Sequence, residues 1–148
     1  MTVQTTLHDV LGAPLPPAPA YGSNSIADVL ESASSLVAQR SLARPAHALD
    51  SDPAFHAVAD PLNLAGRLAE QGVDPASFRH ACVIMVDGLG EQLLNSYGGY
   101  APALRKTLNL GPLDAAFPTT TAASLTSLGT GTAPGAHGIA GYEVRNPA

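Results

Sequence analysis

The sequence predicts an α/β protein with a doubly wound core, in which parallel strands alternate with helices. Residues 81–86 form an apolar run with β-branched side chains and no charged residue. Such a run is typical of a strand that is buried on both faces of a parallel sheet. Residues 113–117 are a second, shorter strand candidate, and helical patterns follow both runs. This alternation of strand and helix predicts the fold class.

The amino-terminal half is expected to be mainly helix and loop. Prolines at 14, 16, 17 and 19 make residues 1–24 an extended lead-in. Apolar residues then recur at helical spacing, which predicts a helix from the Ser25 cap to about Arg40. Residues 43–60 have weak periodicity and are expected to be loop. The pattern of residues 61–70 predicts a short helix that Gly72 ends. Residues 74–78 are expected to form a turn or a single helical turn.

The second half carries the expected core elements. After the strand at 81–86, the pattern predicts a helix over 90–97 with Leu93 and Leu94 facing inward, and another short helix over 102–108. The strand at 113–117 precedes a helix over 121–128, which the glycines and proline of residues 129–134 end. The chain therefore divides into a lead-in (1–24), a helical and loop segment (25–80) and the first strands and helices of an incomplete core (81–148).

Composition narrows the functional classes. The 148 residues are enough for one domain with a sizeable core, and 45% hydrophobic content excludes a wholly disordered chain. A net charge of -5 argues against nucleic-acid binding through phosphate neutralisation. Cys82 is the single cysteine, which excludes a disulfide framework and is expected to be a small buried side chain. No apolar run approaches the ~20 residues of a membrane span, so the cytoplasm is the expected location.

Asp87 is the first candidate for chemistry. It follows the strand at 81–86, and reactive groups in open α/β sheets collect at the carboxyl ends of strands. Gly88 leaves the backbone free to turn away, and a carboxylate at such a place suits a divalent cation. The competing interpretation, slightly favoured by spacing alone, is that Asp87 only caps a helix beginning near Leu89.

Thr121 is the second candidate. It should fall in the first turn of a helix, where unpaired N–H groups and the positive end of the dipole favour an anion. A hydroxyl there can attack phosphorus with the help of a metal. Threonine is also a common cap, and three threonines in a row leave the choice open. His137 could contact substrate, although a hydrogen-bonded loop histidine is the more frequent case.

Together, these segments resemble the alkaline phosphatase superfamily, in particular its type I phosphodiesterase and nucleotide pyrophosphatase branch. The resemblance rests on residues 83–90, on residues 117–131 and on the His-Gly-Ile of residues 137–139. It implies that Asp87 is a metal ligand, and that Thr121 is both the nucleophile and a metal ligand. It also implies two zinc ions, with manganese or magnesium possible, and a small phosphoester as substrate.

The sequence departs from the family pattern in two ways. Residues 122–124 replace the Phe-Pro-Asn that follows the nucleophile in the family, and the phosphoryl-binding asparagine would fall near Tyr142. The family also takes further Asp and His ligands from downstream of the nucleophile. By this resemblance, the sequence is expected to be an amino-terminal fragment of a longer hydrolase, inactive by itself.

Two alternatives stay open. The chain could be a non-catalytic α/β module that binds a phosphorylated ligand or a protein partner through the helix beginning near Thr121. The superfamily also includes sulfatases and phosphoglycerate mutases. Sulfatases use a modified cysteine or serine at the nucleophile position and mutases use serine, so threonine fits a phosphodiesterase better.

Overall fold

The computed structural model describes residues 17–42 and 59–142. Most of the predicted lead-in (1–24) and of the predicted loop (43–60) lies outside these ranges. In the described part, the helices are α1 (Val29–Leu42), α2 (Leu64–Glu70), α3 (Glu91–Tyr97), α4 (Pro102–Arg105), α5 (Thr121–Thr130) and α6 (Pro134–His137). Single 3-10 turns lie at Ile26–Asp28, Pro75–Ser77 and Gly98–Tyr100.

The helix predictions are confirmed for all five predicted segments, with shifts at their ends. The longest helix begins at the predicted cap, because Ser25 precedes the Ile26–Asp28 turn that leads into α1. Helix α5 runs two residues beyond its predicted end, to Thr130. Gly131 then ends it in the left-handed conformation, with φ 68°. The short helix α6 was not predicted, because its four residues are too few to show a period.

Asp28 fixes the chain at the start of α1. Its carboxylate is 3% exposed and accepts hydrogen bonds from the backbone N–H groups of Gly22 (2.8 Å) and Ser25 (2.7 Å). The Ser25 hydroxyl donates to it as well, at 2.9 Å. A buried carboxylate with three donors is compensated for its loss of water. Asp28 therefore holds the turn at 22–25 against the first turn of the helix.

The core consists mainly of small side chains. Helix α5 packs against the Ile26–Asp28 turn, α1 and α6. The residues below 10% exposure here include Ala27, Ala33, Ala116 and Ala123, together with five serines: Ser25, Ser32, Ser35, Ser124 and Ser127. Small side chains let backbones approach closely, and the buried serine hydroxyls need hydrogen-bond partners. Ser32 illustrates this, since its Oγ accepts from the backbone N–H of Leu62 at 3.0 Å.

The predicted sheet is not confirmed. Within the described residues no β-ladder is present, and the predicted strand at 113–117 is reduced to one parallel bridge between Ser25 and Asp114. In this bridge Ile26 donates to the carbonyl of Asp114 (2.9 Å), and Asp114 donates to the carbonyl of Asn24 (3.0 Å).

The predicted buried strand at 81–86 is also absent. Ile84 is 80% exposed and Val86 is 55% exposed, so the apolar run is not covered. A strand is stabilised by backbone hydrogen bonds to a neighbouring strand. Among the described residues, this run makes one backbone hydrogen bond outside helices and strands, from the N–H of Leu89 to the carbonyl of Val86, and that bond closes a local turn. Two side-chain predictions are also wrong. Cys82, expected to be buried, is exposed, and Leu93, expected to face inward, is 44% exposed.

Candidate functional site

The turn after the apolar run positions Asp87. Gly88 adopts φ 72°, a conformation that glycine tolerates without strain, and the N–H of Leu89 donates to the carbonyl of Val86 at 3.3 Å. Helix α3 begins only at Glu91, with Gly90 as its N-cap residue and no side-chain cap. Asp87 is therefore not the cap of this helix, and its carboxylate is available for another role.

The three consecutive threonines have different environments. Thr120 is the N-cap residue of α5, because its Oγ1 accepts from the backbone N–H of Ala123 at 3.2 Å. Its hydroxyl donates in turn to the carbonyl of Ala140, at 2.9 Å. The capping role thus belongs to Thr120, and Thr121 is the first residue of the helix. The structure separates side chains that the sequence left equivalent.

The hydroxyl of Thr121 lies beside the carboxylate of Asp87. Thr121 Oγ1 donates to Asp87 Oδ2 over 3.4 Å, which is long for an O–H···O hydrogen bond. Asp87 is exposed and Thr121 half-buried. The structure therefore brings together, across 34 positions of sequence, the two residues that the sequence singled out as nucleophile and metal ligand.

A groove with a volume of about 660 Å³ opens beside this pair. That volume is within the range of sites that bind small molecules, ~300–1,000 Å³. Its polar lining includes Asp87, Glu91, Asp114 and Thr121, and its apolar lining comes from residues 83–86 and from Ile26, Val29 and Leu128. Asp114 is already engaged, since its Oδ2 accepts from the N–H of Ala20 at 2.9 Å.

His137 and Tyr142 are not among the residues that line this groove. Nε2 of His137 lies 3.0 Å from Oγ of Ser127, and Nδ1 accepts from the N–H of Ile139 at 3.1 Å. Both ring nitrogens are thus engaged within the fold. Tyr142 is 81% exposed. Ser127, the buried partner of His137, was missed in the sequence, because a pair ten residues apart across a turn follows no periodic pattern.

The residues present supply part of a metal centre. Carboxylate and hydroxyl oxygens suit a hard or borderline divalent cation, so Asp87 and Thr121 fit one side of such a site. In residues 17–42 and 59–142, however, no group of three or more His, Cys, Asp or Glu side chains is placed to hold a metal. Two oxygen ligands are fewer than the four that zinc takes in proteins.

The pair and the turns around it lie inside a segment with a recognisable family signature. Residues 81–148 match the family of type I phosphodiesterases and nucleotide pyrophosphatases. This agrees with the resemblance to the alkaline phosphatase superfamily. The match includes Asp87, Thr121, His137 and Tyr142 and excludes α1 and α2. No curated protein and no solved structure matches the chain.

The family that residues 81–148 match is one of phosphoric ester hydrolases. Its members act on phosphoester substrates and are typically metal-dependent. It also suggests an alkaline-phosphatase-like fold, although the described residues show helices and no sheet. None of the described helices is both long enough and apolar enough to cross a membrane.

Proposed function

We propose that residues 81–142 carry the nucleophile part of a metal-dependent phosphoester hydrolase. Thr121 attacks phosphorus, and Asp87 both orients the Thr121 hydroxyl and serves as a metal ligand. The observation that supports this most directly is the 3.4 Å contact between Thr121 Oγ1 and Asp87 Oδ2 at the start of a helix and at the edge of a groove. The family match over the same residues supports it independently.

The start of α5 suits a phosphoryl group. The first N–H groups of a helix have no intrahelical partner and lie at the positive end of the dipole. Ala123 N–H is used by the cap, and Ser124 N–H donates to the carbonyl of Thr120. Among the described residues, no hydrogen bond uses the amides of Thr121 and Ala122. These two donors are therefore free to stabilise phosphoryl oxygens, as in other anion sites at helix starts.

The chemistry proceeds in two displacements. The oxygen of Thr121 forms a bond to phosphorus, and the P–O bond to the leaving group breaks. The hydroxyl proton passes to solvent on the side that faces Asp87, and the leaving oxygen takes up a proton from water to become the alcohol. Water then hydrolyses the phosphothreonine, which releases the phosphate product and restores the hydroxyl. Asp87 and Thr121 would hold a divalent cation, for which the family resemblance favours zinc over manganese or magnesium. Bound there, the cation would favour loss of the hydroxyl proton and would neutralise charge on the phosphoryl group.

Further metal ligands must come from outside the described residues, since Asp87 and Thr121 provide only part of a coordination sphere. The exposed apolar run at 81–86 supports the same view, because it is a surface suited to pairing with more chain. We propose, from the family resemblance and its further downstream ligands, that residues 1–148 by themselves turn over substrate very slowly or not at all.

The test compares hydrolysis of bis(p-nitrophenyl) phosphate by the protein at its natural length and by the 148-residue chain. For the natural-length protein, we expect turnover that chelator removes, and a loss on the order of 1,000-fold or more in Thr121→Ala. Thr126→Ala is the matched control, because it makes the same change in the same helix at a hydroxyl that donates to the carbonyl of Ala122. Full activity in Thr121→Ala would show that the nucleophile is wrongly assigned. Chelator-sensitive turnover by the 148-residue chain would refute only its proposed inactivity.

A further inference from the structure

The ring of His137 has a defined tautomer. The backbone N–H of Ile139 donates to Nδ1, so Nδ1 carries a lone pair and, in the neutral ring, Nε2 carries the proton. Nε2–H then donates to Oγ of Ser127 over 3.0 Å. Ser127 is completely buried, in the middle of α5. The ring therefore connects the interior face of α5 with the backbone just after α6.

The residues that follow His137 reach the start of α5. Gly138 turns the chain with φ 77°, and Ile139 is held by the His137 ring. The next residue, Ala140, uses its carbonyl to accept the Thr120 hydroxyl at 2.9 Å. Thr120 uses the same oxygen to accept from Ala123, which caps the helix. These hydrogen bonds, joined by the backbone between Ile139 and Ala140, thus lead from the middle of α5, through His137, back to the residue before Thr121.

We infer that His137 is a positioning residue for Thr121. Its ring holds residues 138–140 against α5, the Ala140 carbonyl then fixes the rotamer of Thr120, and the cap fixes the first turn of the helix. Thr121 is the first residue of that turn, so its hydroxyl stays beside Asp87. The consequence for catalysis rests on the proposed function, whereas the consequence for the geometry of α5 does not.

This role differs from the substrate contact that the sequence allowed for His137. A ring with both nitrogens engaged by Ser127 and Ile139 has no free polar atom for a phosphoryl oxygen. The ring is also only partly exposed, and it does not line the groove beside Asp87. Substrate would therefore contact Thr121, which His137 positions, and not His137 itself.

Amide hydrogen exchange and nitrogen NMR of the 148-residue chain test the positioning directly. The ring of His137 is expected to carry its proton on Nε2. In His137→Ala, the Ala123 amide is expected to exchange about 5- to 10-fold faster, because its cap acceptor is released. Ser127→Ala removes the other end of the connection and is expected to act in the same direction. His137→Asn retains an oxygen that can accept from Ile139, so it is expected to recover part of the protection.

A matched control separates this effect from a general loss of stability. Leu68→Ala removes a buried side chain from α2. This helix lies far in sequence from the Thr120 cap, and among the described residues no side-chain hydrogen bond joins the two. It is expected to lower the melting temperature without accelerating Ala123 exchange more than that of the other α5 amides. If His137→Ala proves unfolded, Ser127→Ala and His137→Asn carry the test.

Kinetics of the natural-length protein give the second readout. His137→Ala is expected to lower kcat about 10- to 100-fold and to change KM less than about 3-fold, since a misplaced nucleophile slows the chemical step. A large rise in KM with unchanged Ala123 exchange would overturn the inference in favour of substrate contact. A proton on Nδ1, or unchanged exchange in all three variants, would also overturn it. Faster Ala123 exchange combined with full activity of Thr121→Ala would support the positioning and refute the proposed nucleophile.

Discussion

Ser25 gives both its backbone N–H and its hydroxyl to one oxygen of Asp28, at 2.7 and 2.9 Å. The other carboxylate oxygen accepts from Gly22. This arrangement resembles a capping box, in which a residue three positions into the helix reaches back to the cap. It lies directly beneath α5, because the Ile26–Asp28 turn is one of the surfaces on which α5 packs. The placement of α5 therefore depends partly on Asp28, a carboxylate that does not line the groove beside Asp87.

Replacing Asp28 by alanine is expected to destabilise the chain by about 3 kcal/mol, because the two buried donors of Ser25 and the N–H of Gly22 lose their acceptor. The free energy of unfolding is measured by urea titration followed by circular dichroism. Glu31→Ala, an exposed carboxylate in the next turn, is the control and should change the stability by less than about 0.5 kcal/mol. Equal effects of the two substitutions would contradict the role given to Asp28.

Thr120→Ala is expected to cost about 1 kcal/mol through loss of the cap on Ala123. Thr120→Ser keeps an oxygen at the same place and should recover most of that stability. Both variants are compared by thermal unfolding. If serine were no better than alanine, the hydroxyl would not be what stabilises the start of α5.

Two glycines near the end of α5 are expected to respond in opposite directions to alanine. Gly131 has φ 68°, so Gly131→Ala should destabilise by about 1 kcal/mol. Gly129 is helical and its missing Cβ would meet no atom within 4 Å, so Gly129→Ala should stabilise by about 0.5–1 kcal/mol. Thermal unfolding of the two variants gives the sign of each change. A loss of stability in both would indicate that α5 does not end at Gly131.

The apolar run at 81–86 is expected to drive self-association of the isolated chain. Ile84, at 80% exposure, is more exposed than Val83 and Val86 of the same run. Ile84→Lys should reduce light scattering at high protein concentration without lowering the melting temperature, because a charge on an unpaired extended segment opposes edge pairing. Leu30→Lys, at an exposed position of α1, is the control for added charge elsewhere. Equal loss of scattering in both variants would show that net charge, and not this segment, governs association.

Local chemistry was sufficient to predict most of the helices. Ser25 caps the start of the turn that leads into α1, and Gly131 ends α5, both by interactions within a few residues. For this reason the start of α1 and the end of α5 were predicted near their observed positions. The strand at 81–86 was predicted from the same kind of pattern and is not formed. A strand needs a partner that is distant in sequence, and an apolar run cannot specify whether such a partner lies alongside it.

The sequence by itself determined most of the helices and the turn at Gly88, and it singled out Asp87 and Thr121 as candidates for chemistry. Only the tertiary structure decided that Thr121, and not Thr120, faces Asp87, since Thr120 is held by Ala123 and Ala140. It also decided that His137 pairs with Ser127. Apart from the local cap on Ala123, these contacts join residues from 10 to 34 positions apart. Such separations follow from how helices and turns pack rather than from any local preference.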